Sequence, residues 1–444
     1  MNSVTHKADS DGWTYVVLFL LLGYMCMGRS FAYWGIPPLD VFVGELVLGW
    51  FLLFGPQLSK GKWPWIARDL PQLHRFKRAL YLLIACGAFG ILHGLFAGYS
   101  LLTALRDFAF DYYPLFFLLG LWVGLRRPGG LPKFIRLFAW ANGIYGAAYV
   151  LLLNRVPWTF PGFADRAPRV PVFGMPEFSG IALIGLLTFE KNLRKVWPLL
   201  LLNSFVMLGM QIRGEWLGFA TALAVWAWWT RDLRRAALGG VVVILALALM
   251  AVGGIELPGV EGRGATGTSL SAGSLVGRAL APVNSSLAAS YTSGVQEKND
   301  VDTVTWRLLW WATIWGSVNE TTLRAVVGFG YGFPIGSLVP FLQGQFIQTP
   351  HDALLYALAY TGWVGLLIFV LFEAEVFRVI LRASRGTGSA FGLAAWTALI
   401  VFSLFEPFFE APQGAIPFYL LMGWVAASIF SKRQSQPRPA ARAA

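Results

Sequence analysis

Twelve apolar runs follow one another along this chain of 444 residues, most of them near the roughly 20 residues that cross the hydrocarbon layer of a bilayer. Inside lipid each backbone amide must find its partner within its own segment, so runs of this length are read as helices. They cover Trp13–Gly35, Leu39–Leu58, Ala79–Gly98, Tyr112–Leu125, Lys133–Leu153, Phe178–Phe189, Val196–Ile212, Glu215–Thr230, Ala236–Ile255, Ala353–Phe377, Ser389–Phe405 and Ala415–Phe430. The expected fold is all-α, a polytopic membrane protein of about 12 transmembrane helices. Helices one to nine occupy 1–255, a large loop 256–351, helices ten to twelve 352–431 and a tail 432–444.

Sidedness follows from the basic residues. Connections after even-numbered runs carry Lys60, Lys62, Arg68, Arg75, Lys77 and Arg78, then Arg126, Arg127 and Lys133, then Lys191, Arg194 and Lys195. Arg231, Arg234 and Arg235 follow, then Arg378, Arg382 and Arg385, with Lys432 and Arg433 in the tail. By the positive-inside rule both termini are cytoplasmic. Eight of the nine lysines then lie inside, whereas ten of the eleven basic residues left outside are arginines. The formal charge of +12 sits mostly at the inner leaflet, where it reads as topology and contact with anionic lipid. Nucleic acid is a poor inference from it. Cys26 and Cys86 both fall in apolar segments, which excludes a disulfide framework. The first run lacks a small-residue cleavage site and is read as a retained helix.

Function is expected in the outer loop. Its stretch from Gly262 to Gly294 is rich in Gly, Ser, Ala and Thr and too poor in large apolar residues to fold alone. Arg263 and Arg278 there are read as solvated charge. The loop changes character at T-V-T-W-R-L-L-W-W-A-T-I-W, Thr303 to Trp315. Trp306 and Trp310, like Trp311 and Trp315, lie four apart on shared helix faces, and tryptophan favours headgroup depth, so an interfacial helix is expected here. Arg307 is placed among these rings. G-F-G-Y-G at Gly328–Gly332 permits a tight turn with exposed amides, and P-H-D-A-L-L at Pro350–Leu355 opens the tenth run. His351, at that mouth with Asp352 beside it, could serve as a general base.

Two shorter outer loops add arginines. One carries Arg155, Arg166 and Arg169, and the other is only M-Q-I-R-G-E-W-L-G, which holds Arg213 close to the bilayer between two spans. A guanidinium fork binds phosphate oxygens bidentately and stays charged when partly desolvated. A lipid pyrophosphate would sit at that depth. Glu215 beside Arg213 suits a helix N-terminus, and Glu177, Glu215, Glu406 and Glu410 are alternative bases near outer span ends. Glu45, inside the second run, is read as a structural hydrogen-bonding residue. No metal-ligand cluster is evident, and the first outer loop offers only Asp40.

I-R-G-E-W-L-G at 212–218, W-R-L-L-W-W at 306–311 and G-F-G-Y-G followed by P-H-D-A-L-L resemble the O-antigen ligase and polymerase superfamily. The resemblance implies a GT-C-like glycosyltransferase of the bacterial inner membrane, working at the periplasmic face without a cofactor or metal. It also implies a glycan donor linked to undecaprenyl pyrophosphate, and as acceptor either lipid A-core oligosaccharide or another glycan. Carried over by position, the catalytic residues are Arg213, Arg307 and His351. Arg166, Arg169, Glu215, Gly328, Gly330 and Asp352 are the candidate substrate-binding residues. Asp352 departs from the family, where asparagine often follows the histidine. The competing class is a transporter, but transport sites lie near the midplane, and these residues gather at the outer boundary. Arg169 and Gly180 match the polymerase spacing of arginine and glycine once, which chance alone supplies, and the ligase is the favoured reading.

Overall fold

The computed structural model describes residues 5–36, 41–58, 73–160, 171–253, 257–258, 269–280, 307–339 and 349–434. Asp40, Arg166, Arg169, Arg263, Trp306, Lys60, Lys62 and Arg68 lie outside the described residues. The first half holds α1 (Thr5–Ala32), α2 (Val43–Leu58), α3 (His74–Phe96), α4 (Leu101–Asp107), α5 (Ala109–Tyr112), α6 (Phe116–Arg126) and α7 (Leu131–Leu151). Then come α8 (Ser179–Phe189), α9 (Trp197–Gly209), α10 (Arg213–Thr230), α11 (Leu233–Val252) and α12 (Ala272–Leu280). The chain closes with α13 (residues 307–318), α14 (Thr322–Val327), α15 (Ala353–Thr387), α16 (Phe391–Ser403) and α17 (Pro412–Gln434). Two antiparallel pairs of two-residue strands, Gly35–Ile36 with Val41–Phe42 and Leu257–Pro258 with Ser269–Leu270, are the β-structure among the described residues.

A helix stands on each of the twelve apolar runs. Five, Gly12–Ala32, His74–Phe96, Leu101–Arg126, Leu233–Val252 and Pro412–Phe430, are long and apolar enough by themselves to cross a membrane. The protein is an all-helical, polytopic membrane protein. α11 shows why the pattern demands lipid: Leu238, Val241, Leu245, Leu249 and Val252 form an exposed stripe three or four residues apart, while Gly239, Val242, Ala246 and Met250 turn inward. The fourth run departs from expectation. It begins near Leu101 and is broken into α4, α5, a 3-10 turn at Tyr113–Leu115 and α6, with Pro114 at the turn where a continuous helix would need its missing amide.

Some helices are too short to span. With a rise of about 1.5 Å per residue, the 11 residues of α8 cover roughly 16 Å and the 13 of α16 roughly 20 Å, against a core of about 30 Å. Irregular backbone at that depth is tolerated only inside protein. The segments that complete these two passes, 171–178 before α8 and 404–411 after α16, therefore pack between helices. Residues 404–411 lie beside the start of α10, where Phe405 flanks Gly214, and Gly174 and Met175 pack against α1.

The outer loop also departs from expectation. α12 folds within the stretch read as unable to fold, burying Leu275 at 2% exposed and Arg278 at 5% against the bundle. Leu275 and Arg278 are three apart and share a face. α11 supplies the surface that α12 cannot make alone.

Candidate functional site

The site is built on the start of α10. Only residues 210–212 separate α9 from α10, and Gln211 makes the reversal with φ 56°, in the left-handed region. Arg213 is the first residue of α10, and its Nη1 is buried with no hydrogen-bond partner among the described residues. Glu215, 6% exposed, accepts a hydrogen bond from Gly180 N at 3.0 Å. It ties the first turn of α10 to the first turn of α8.

α13 brings the second arginine. Trp310, Ile314 and Val318 recur every four residues and are fully buried, while Leu308, Leu309 and Trp315 face outward. The tryptophans therefore divide, where a belt at headgroup depth was expected. Trp310 is a core anchor, Trp311 Nε1 donates to the carbonyl of Pro350 at 2.7 Å, and Trp315 packs edge-on against Trp363 at the exposed face. Arg307 Nη1 donates to the carbonyl of Phe405 at 2.7 Å, and its Nη2 lies 3.7 Å from Glu406 Oε1. Phe405 also flanks Gly214, next to Arg213. Arg307 and the first turn of α10 thus meet at the segment that follows α16.

His351 stands beside α13. Its ring lies 6.4 Å from that of Trp310, one turn along from Arg307, and its backbone has φ 56°. Asp352 is engaged by its own helix. Its Oδ1 caps α15 by accepting from Leu355 N at 2.8 Å.

The segment 404–411 contributes acids as well. Glu410 lies buried within electrostatic reach of Asp352 and Glu406. Burial raises Asp352 above the ordinary carboxylate range. Glu410 Oε2 accepts from Phe408 N at 3.1 Å, and its Oε1 is buried without a hydrogen-bond partner. Near Arg213 and Arg307 the site is cationic, and around Glu410 it is acidic.

The glycine turn is a correction. Gly328 N donates to Arg324 O at 2.7 Å, Phe329 N to Ala359 O at 2.8 Å, Gly330 N to Tyr360 O at 3.0 Å, Tyr331 N to Gly90 O at 3.0 Å and Gly332 N to Asp107 Oδ2 at 2.8 Å. All five amides are engaged by protein, so Gly328 and Gly330 do not form the ligand cradle expected of them. They dock α15 onto α3. Gly330, at φ 79°, lies against the backbone of Gly94, and Gly362 at φ 65° breaks α15 where residues 326–328 press against it.

Sequence reasoning missed Arg278 and Gln211. Arg278, read as solvated, donates from Nη1 to the carbonyl of Gln211 at 3.3 Å, which joins α12 to the start of α10. Arg155 is exposed on its loop, away from these contacts. Glu45 accepts from Tyr113 at 2.9 Å and Tyr112 at 3.3 Å inside the bundle. Among the described residues no three His, Cys, Asp or Glu side chains are grouped to hold a metal ion.

A buried guanidinium atom without an acceptor among the described residues, with a second arginine and a histidine on neighbouring elements, is a set of groups that can bind an anion and take a proton. No curated protein matches the chain. Residues 178–370, from α8 into α15, match the O-antigen ligase family and support its superfamily for this chain.

Proposed function

We propose that this chain is a member of the O-antigen ligase superfamily and transfers a preassembled glycan from undecaprenyl pyrophosphate to an acceptor sugar at the periplasmic face of the bacterial inner membrane. The favoured acceptor is the lipid A-core oligosaccharide. Twelve spans, cytoplasmic termini and an outward site complete the reading. The observation that carries it is Arg213, whose buried Nη1 lacks an acceptor among the described residues. A buried charged donor left unmatched is costly, and an anionic ligand at that spot removes the cost.

Each residue then has a task. A hydroxyl of the acceptor attacks the anomeric carbon while its proton passes to His351. The anomeric C–O bond breaks, and its electron pair leaves on the pyrophosphate oxygen. Arg213 and Arg307 hold that pyrophosphate, and fixed charges in a dry site stabilise it without reorganising during reaction. Glu406 and the carbonyl of Phe405 hold Arg307 in place through the contacts at 3.7 and 2.7 Å. Asp352 starts α15 so that His351 is presented at its mouth. Arg166 and Arg169 are proposed contacts to the donor glycan.

The test is transfer by the purified full-length chain from an undecaprenyl-pyrophosphate-linked glycan, in excess chelator, to lipid A-core or to a second lipid-linked glycan. Product on lipid A-core supports the ligase. Product only on the second glycan makes the chain a polymerase, and no transfer to either refutes the reading.

A further inference from the structure

α12 brings a third buried arginine to the start of α10. Arg278 is 5% exposed and donates from Nη1 to the carbonyl of Gln211. Gln211 is itself 4% exposed, and its side-chain Nε2 has no hydrogen-bond partner among the described residues. Two residues on, Arg213 Nη1 is buried in the same condition. Buried donors are nearly always matched in native proteins. Here two unmatched ones share a three-residue stretch with the carbonyl that holds Arg278. They stand at the N-terminus of an 18-residue helix, the positive end of its dipole. The one carboxylate in that first turn, Glu215, accepts from Gly180 N.

Charge counting says what such a site is for, given the pyrophosphate reading above, on which this inference rests. A glycan-linked lipid pyrophosphate is a diester with two negative charges. When the acceptor oxygen bonds to the anomeric carbon and the anomeric C–O bond breaks, the departing pyrophosphate keeps the electron pair and becomes a monoester with a third ionisable oxygen. The hydroxyl proton goes to His351. Two arginines match the ground state, and the charge that develops during reaction needs a further donor set.

We propose that Arg278 and the Gln211 side-chain amide complete an anion site at the start of α10 that takes up the charge developing on the leaving pyrophosphate. Arg278 then acts more in the transition state and on the product than on the bound donor. Its place in α12 couples the outer loop to the chemistry.

The test uses the purified full-length chain, with undecaprenyl pyrophosphate and undecaprenyl monophosphate as probes and binding read by tryptophan fluorescence. Arg278→Gln should lower pyrophosphate-lipid affinity about tenfold or more and change monophosphate-lipid affinity less than about threefold. Turnover should fall about tenfold or more, with a smaller change in KM for the glycan-linked donor. Gln211→Met keeps the carbonyl that tethers Arg278, so it separates ligand contact from architecture. It should unfold at an unchanged or higher temperature and still bind the pyrophosphate lipid several-fold more weakly. If Arg278→Gln fails to fold, Gln211→Met decides alone. Unchanged pyrophosphate affinity in folded variants, or equal loss for both lipids, overturns the proposal. If the unaltered chain binds neither lipid, the pyrophosphate reading itself fails and this inference falls with it.

Discussion

Replacing Gly330 with alanine separates a packing role for the glycine turn from a ligand role. Its φ of 79° costs an L-residue roughly 1–2 kcal/mol. The added Cβ would lie 2.7 Å from Gly94 N and 2.9 Å from Gly94 Cα, so the turn must withdraw from α3. Overpacking of that kind costs about 1–3 kcal/mol. Withdrawal also strains the bonds from Tyr331 N to Gly90 O at 3.0 Å and from Tyr331 OH to Asp111 at 2.5 Å. The expected loss is about 2–5 kcal/mol, a large part of the 5–15 kcal/mol that typically holds a domain together. Gly316→Ala is the control, because nothing lies within 4 Å of its added Cβ on α13 and alanine is the better helix former. Thermal unfolding in detergent should show Gly330→Ala well below the unaltered protein and Gly316→Ala at or above it. A Gly330→Ala protein that unfolds normally yet loses affinity for a lipid pyrophosphate would refute the packing argument and return the turn to the ligand.

A cysteine at Ser271 in a chain lacking Cys26 and Cys86 should react with an impermeant thiol reagent on intact cells, and one at Ser59 should not; reversed labelling would invert the topology. Arg307→Lys should impair transfer, since an ammonium cannot reach both the Phe405 carbonyl and a phosphate with the planar fork. Full activity of Arg307→Lys would show that point charge alone suffices.

The helices were legible because lipid leaves their apolar faces exposed, as the stripe from Leu238 to Val252 shows. The brevity of its loop singles out Arg213 as a candidate, and their motifs single out Arg307 and His351. Composition misled at α12: small residues dominate the stretch, but Leu275 and Arg278 share a face that α11 and Gln211 cover. The spacing of those two residues was the signal available. The glycine turn was recognisable as a turn, but its partner was not. Gly90 and Gly94 give α3 a face of small residues that receives Tyr331, with Asp111 against Gly87 one turn earlier, and that face does not announce which segment it receives. The acids near Glu410 become a cluster only when segment 404–411 folds back towards α15.

The most direct measurement is transfer rate and lipid-donor affinity determined on the same purified variants. His351→Ala should lose roughly 10²–10⁴ in turnover, the usual scale for a positioned base, and keep its donor affinity. Arg213→Ala and Arg307→Ala should weaken donor affinity as well as turnover, because their charge meets the pyrophosphate before reaction begins. Near-normal turnover of His351→Ala would contradict the account and move the base to Glu177, Glu215 or Glu406. Loss of donor binding by a folded His351→Ala would make the histidine a phosphate ligand instead.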